Sequence, residues 1–174
     1  MKKASIVLTL VLVIGFRTLG AGLTLSSPVF MNGGYIPERY SGLGKDVSPP
    51  LSWANVPPDT KSLALICDDP DAPGRTWVHW VVYALSPTLK GLPEGISRTP
   101  TLVNGAKQGT TDFGRIGYGG PYPPVGKPHR YYFKLYALDI AMTQVGPGLT
   151  KAALLERIQG HVLASTELLG LFKR

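Results

Sequence analysis

Two histidines and a set of aspartates are the residues of this chain best suited to chemistry. His79 follows Asp68-Asp69-Pro70-Asp71-Ala72-Pro73 by six residues, in Thr76-Trp77-Val78-His79-Trp80-Val81. His129 ends the loop Gly117-Tyr118-Gly119-Gly120-Pro121-Tyr122-Pro123-Pro124…Lys127-Pro128 and opens the run Arg130-Tyr131-Tyr132-Phe133. Imidazolium groups and open backbone amides both bind anions. A carboxylate beside an imidazole favours the charged ring. If the two segments neighbour each other, His79, His129, Asp69, Asp71 and amides around Gly119 and Gly120 converge on one small anion-binding cavity. Charged rings predict binding that weakens as pH rises through about 6–7. Blander readings stay open: aspartate before proline suits a turn, and a lone histidine in an apolar strand is often a core residue with a satisfied hydrogen bond.

The elements that must place these groups are legible in the pattern. Five glycines and four prolines in residues 114–128 exclude a helix or a central strand there. A period-two strand then begins, with His129, Tyr131, Phe133 and Leu135 on one face and Arg130, Tyr132, Lys134 and Tyr136 on the other. Residues 63–67 and 76–85 are apolar on both faces, as expected of central strands covered on both sides. Thr150 is a helix cap, and Leu154, Leu155, Ile158, Val162 and Leu169 mark one side of a helix through Leu169. Gly160 weakens that helix. His161 beside its stripe reads as a packed structural histidine.

Lys2 and Lys3 precede an apolar run from Ile6 to Phe16, and small residues follow at Gly20, Ala21 and Gly22. This is the pattern of a secretory signal over residues 1–22, so the chain is expected to be exported, periplasmic or secreted. Residues 23–174 then form one domain with a sizeable core. Loss of Lys2, Lys3 and Arg17, with no acid among residues 1–22, leaves +4 of the formal +7. The remaining basic residues are scattered, which argues against nucleic-acid binding. The single cysteine, Cys67, lies in an apolar run and reads as a buried small hydrophobe.

Catalytic signatures are missing from the sequence: there is no Gly-x-Ser-x-Gly elbow, P-loop or His-Glu-x-x-His helix. Two histidines and an aspartate could hold a metal, but their spacing is not diagnostic. No catalytic residue, metal or cofactor is assigned.

The two segments quoted above, with Gly160-His161-Val162-Leu163-Ala164 near the end, resemble the phosphatidylethanolamine-binding protein family, in its bacterial Raf-kinase-inhibitor-like branch. The resemblance runs from about Leu23 to Lys173. It implies a mostly β fold: a large antiparallel sheet packed against a smaller one, with peripheral helices including the C-terminal one. It also implies a pocket for phosphate, phosphoethanolamine, acetate or similar small anions. By motif position the ligand-binding residues fall on Asp69, Asp71, Trp77, His79, Gly119, Gly120, Pro121, His129 and Tyr131. The expected function is non-catalytic binding of a small anionic or zwitterionic phosphate ligand. The alternative is a protein-interaction or inhibitor module whose pocket is modulated by ligand. An unidentified protein partner and a homodimer stay open. The stretch Ser41-Gly42-Leu43-Gly44-Lys45-Asp46 departs from the Cys-Asp-Gly usual in bacterial relatives.

Overall fold

The computed structural model describes residues 22–174; the expected signal, except for Gly22, lies outside the described residues. Nine strands are present there: β1 (Thr24–Ser26), β2 (Gly34–Tyr35), β3 (Leu51–Ala54), β4 (Ser62–Asp69), β5 (Trp77–Leu85), β6 (Gly91–Leu92), β7 (Lys107–Gln108), β8 (His129–Leu138) and β9 (Val162–Phe172). A 3-10 turn spans Glu38–Tyr40, and α1 spans Lys151–Ile158.

The strands form a six-stranded sheet in the order β2-β9-β8-β4-β5-β7 and a three-stranded sheet in the order β1-β3-β6. Every pairing is antiparallel except β2 with β9. Alternation along β4 explains its unbroken apolar run. Leu63, Leu65 and Cys67 pack with Leu25, Leu51 and Trp53 of the small sheet and with Phe133 and Leu135 of β8. Ala64 and Ile66 face the other way, into a second core closed by Leu154 and Ile158 of α1. Both faces are therefore dry, and no polar alternation survives in the sequence.

β8 has the expected faces. Tyr131, Phe133 and Leu135 are buried, while Arg130 is exposed and Tyr132, Lys134 and Tyr136 are half-buried.

The C-terminal segment corrects the sequence reading. Thr150 caps α1 by accepting from the Ala153 N–H, but the helix ends at Ile158, not Leu169. Gly160 lies in the left-handed region at φ +80° and turns the chain. Residues 162–172 then form β9, paired with β8 along nearly its whole length. Leucine, alanine and glutamate favour helix, but the long pairing with β8 outweighs that propensity. His161 is half-exposed in the turn, with Nδ1 2.8 Å from Asp139 Oδ1.

Cys67 lies opposite Trp80 on β5 and Phe133 on β8, and is buried. Burial pushes its thiol well up, and the carboxylates of Asp68 and Asp69 push the same way. Under native conditions a thiol reagent is expected to label Cys67 only as fast as the fold opens. Stoichiometric labelling within seconds, before addition of denaturant, would contradict that placement.

Candidate functional site

β5 and β8 are not neighbours; β4 runs between them. The histidines still converge, because Asp69 at the end of β4 bridges the gap. A cavity of about 250 Å³ opens there, walled by Trp77, Phe113, Tyr122, Tyr131 and three prolines, Pro73, Pro123 and Pro124, with Asp69, His79 and His129 as its polar groups.

Asp69 is buried, and both its oxygens are bonded. Oδ1 accepts the Asp71 N–H at 2.8 Å, and Oδ2 lies 2.8 Å from His129 Nδ1. A carboxylate only accepts here, so His129 Nδ1 carries the hydrogen. Tyr131 is buried beside them, and burial with the Asp69 carboxylate pushes its phenol far above the ordinary range.

His79 is held differently. Its Nδ1–H donates to the Gly119 carbonyl at 2.7 Å, and its own carbonyl accepts the Gly119 N–H at 2.9 Å. Its ring stands edge-on to Tyr131 and Phe113, with centroids 5.1 and 5.3 Å away. Burial lowers the His79 pKa, although the Gly119 bond and the Asp69, Asp68 and Asp112 carboxylates pull upward. His79 is thus neutral at pH 7, which corrects the expectation of two imidazolium rings.

The shift has a consequence for stability. His79 in the unfolded chain titrates near about 6.5. Its folded value lies lower, so the unfolded chain takes up this proton first as pH falls. The His79 contribution is intact above about 6.5 and is lost as pH falls through the folded value. Depressed carboxylates such as Asp71, held down by Arg130, titrate below the usual carboxylate range and so outside that window. Between pH 7.5 and 5.5, wild type is expected to lose more unfolding free energy in urea than His79→Gln. Parallel losses in the two proteins would contradict the depressed value.

The glycine-rich loop also departs from expectation. Its amides are not open: Gly119 N–H bonds His79, and Gly120 N–H donates to Asp46 Oδ1 at 2.6 Å. Pro121 is buried behind the wall, where its carbonyl accepts the Gly42 N–H. Gly119, Gly120 and Pro121 therefore shape the cavity from behind and do not line it. The glycines are there for close approach: a Cβ on Gly119 would enter the Phe113 ring, and one on Gly120 would meet the Tyr40 carbonyl. Asp71 also lies outside the cavity, where both its oxygens bond Arg130, and that pairing lowers its pKa. Asp68 faces the opposite side of the sheet, buried against Lys134 and Lys151.

Several residues escaped the sequence reading. Phe113 forms a wall against Trp77 and His79. Asp112 accepts the Val78 N–H at 2.7 Å and pairs with Arg75, holding the start of β5. Asp46 receives Arg98, Arg115 and the Gly120 amide. None of them lies within the two histidine segments, so no local pattern marks them.

The family model for phosphatidylethanolamine-binding proteins matches residues 26–173. The chain belongs to the phosphatidylethanolamine-binding protein family. Relatives within it include a UPF0098 protein of Methanothermobacter thermautotrophicus, 47% identical over 87% of this chain and 99% of that protein. Another, from Aquifex aeolicus, is 43% identical over 94% of this chain and 97% of its own. Solved structures agree. A phosphatidylethanolamine-binding protein homologue from Chlamydia trachomatis, 42% identical, covers 88% of this chain and 98% of its own with a TM-score of 0.80. Escherichia coli YbcL, described as a member of the mammalian PEBP family, is 33% identical, covers 88% and 99%, and has the same TM-score. The two-sheet architecture is thus that of the phosphatidylethanolamine-binding protein family, and the cavity lies between its two histidine segments.

Proposed function

We propose that this chain is a non-catalytic binding protein for a small phosphate-bearing anion or zwitterion, and that residues 1–22 direct its export. One observation carries the binding reading: His79 and His129 line the same cavity, and each ring has Nδ1 fixed by the protein, so Nε2 is left for an occupant. His129, backed by the Asp69 carboxylate, supplies the charge-assisted donor when protonated. The cavity has room for a short organic group beyond a phosphate, and the Trp77 face or Asp69 can meet an ammonium.

With the loop amides already bonded, two or three charge-assisted hydrogen bonds are available, each about 1.5–3 kcal/mol. Association costs at least about 4 kcal/mol. Net affinity is therefore weak, on the order of millimolar. Calorimetry is expected to show phosphoethanolamine binding more tightly than inorganic phosphate. Equal affinities would remove the ammonium argument, and no heat from either at tens of millimolar would reject the reading. The intact mass of the exported chain checks the signal: it should start near Gly22 or Leu23.

A further inference from the structure

We infer that His79 makes this cavity selective for anions that carry a proton, so that it takes phosphate and phosphomonoesters and turns away sulfate. The inference rests on the anion-binding reading above and names the ligand class within it.

The argument begins with the Gly119 lock. A carbonyl oxygen can only accept, so the 2.7 Å bond from His79 fixes the hydrogen on Nδ1. The reverse bond from Gly119 N–H to the His79 carbonyl holds residue 79 against the same peptide unit. Nε2 has no partner among the described residues, yet it is not sealed off, and the ring lines the cavity. What Nε2 presents depends on the charge of the ring. The groups around it settle this. Asp69 on β4 is already bonded to His129 and to the Asp71 N–H. Asp68 is bonded to Lys134 and Lys151, and Asp112 to Arg75 and the Val78 N–H. From β8 and the loop that precedes it the ring meets Tyr131 and Phe113 edge-on. No carboxylate among the described residues bonds His79, and burial among Tyr131 and Phe113 lowers its pKa and so favours the neutral ring.

A neutral ring with hydrogen on Nδ1 presents a lone pair at Nε2. Opposite a bare oxyanion this sets acceptor against acceptor and leaves both groups desolvated without a bond. A phosphate oxygen that carries a hydrogen donates to that lone pair, while a charged oxygen of the same group accepts from Nε2–H of His129 when that ring is protonated. Hydrogen phosphate keeps such an oxygen at pH 7; a monoester, mostly dianionic above its second pKa of about 6, takes up a proton to bind, and sulfate does neither. An ammonium could also donate to Nε2, which a sulfate zwitterion tests.

Calorimetry on the full chain at pH 7 and constant ionic strength compares four probes: inorganic phosphate, sulfate, phosphoethanolamine and 2-aminoethyl sulfate. Inorganic phosphate is expected to bind at least tenfold more tightly than sulfate, and phosphoethanolamine to bind more tightly than 2-aminoethyl sulfate, with uptake of a proton. In His79→Gln the amide can donate to a bare oxygen, so the gap should close to about threefold through better sulfate binding. Histidine 15N NMR of wild type should show ring 79 neutral with hydrogen on Nδ1, a readout independent of how the variant folds. Sulfate within threefold of phosphate, 2-aminoethyl sulfate equal to phosphoethanolamine, or a charged ring 79 at pH 7 overturns the selectivity while the site stands. If none of the four probes binds, the anion-binding reading fails and the selectivity fails with it.

Discussion

Replacing His129 by alanine is expected to remove measurable binding of phosphoethanolamine and phosphate and to leave a cooperatively folding chain. The ring is the one cavity histidine backed by a bonded carboxylate, Asp69, at 2.8 Å. Its removal takes away a charge-assisted hydrogen bond worth about 1.5–3 kcal/mol. It also uncovers Asp69, a buried carboxylate, toward the incoming anion. Together these lower affinity by more than about a hundredfold, which moves a millimolar ligand beyond detection. The fold survives because His129 is the first residue of β8, at the mouth of the cavity, and Asp69 keeps its Asp71 N–H bond. A loss of about 1–3 kcal/mol in stability is expected from the broken pair. Asp71→Asn is the informative contrast. Its carboxylate faces Arg130 outside the cavity, and its bond to Asp69 comes from the backbone. Affinity in that variant should stay within about twofold of wild type. Calorimetry and thermal melts on the two variants decide it. Unchanged affinity in His129→Ala would place the site elsewhere, and a large loss in Asp71→Asn would return that residue to it.

How far the sequence could be read depended on how local each signal was. The strand carrying His129 was legible because its two faces differ: Tyr131, Phe133 and Leu135 enter the core while Arg130 and Lys134 do not. The apolar run around Cys67 was legible because both its faces are covered, by the small sheet on one side and α1 on the other. Strand order was not legible. β4 separates the two histidine strands, and only its register, Asp69 opposite Trp77 and Asp68 opposite Tyr132, shows why the site still closes. β9 was misread because Val162 and Leu169 continue the apolar stripe of α1, four and seven residues further on, and leucine, alanine and glutamate between them favour helix. Its strand form depends on a partner, β8, whose pairing begins 24 residues earlier at Leu138 and runs back to His129. The loop was misjudged for a related reason. Composition showed that Gly119 and Gly120 come close to another group, but not that the residue 79 carbonyl and Asp46 take both their amides.

The second large effect is expected at Asp46, the acid that closes the 41–46 stretch and lies outside both histidine segments. Asp46 holds the cavity's rear wall from a distance. Oδ1 accepts the Gly120 N–H at 2.6 Å, Oδ2 accepts from Arg98 at 2.5 Å and Arg115 at 3.1 Å, and its carbonyl accepts from Arg98 at 2.7 Å. Arg98 also donates to the Tyr118 carbonyl, so one carboxylate and one guanidinium clamp both sides of Gly119. Asp46 does this from the left-handed region, at φ +52°, which aspartate and asparagine tolerate better than alanine. Asp46→Ala leaves the buried Gly120 amide without its acceptor, about 1–3 kcal/mol, and adds about 1 kcal/mol of backbone strain. A loss of about 2–4 kcal/mol in urea unfolding is expected. Anion affinity should fall with it, because the peptide that fixes His79 is no longer held. Asp46→Asn keeps an oxygen for the Gly120 N–H and the same backbone preference. It loses mainly the charge toward two guanidiniums that are 39% and 45% exposed, a contribution of about 1 kcal/mol or less. The clamp predicts a wide gap between the two variants in both stability and binding. If alanine and asparagine cost the same, the charge toward Arg98 and Arg115 matters and the amide bond does not. If neither variant moves binding, the rear wall does not depend on Asp46 to hold His79 in place.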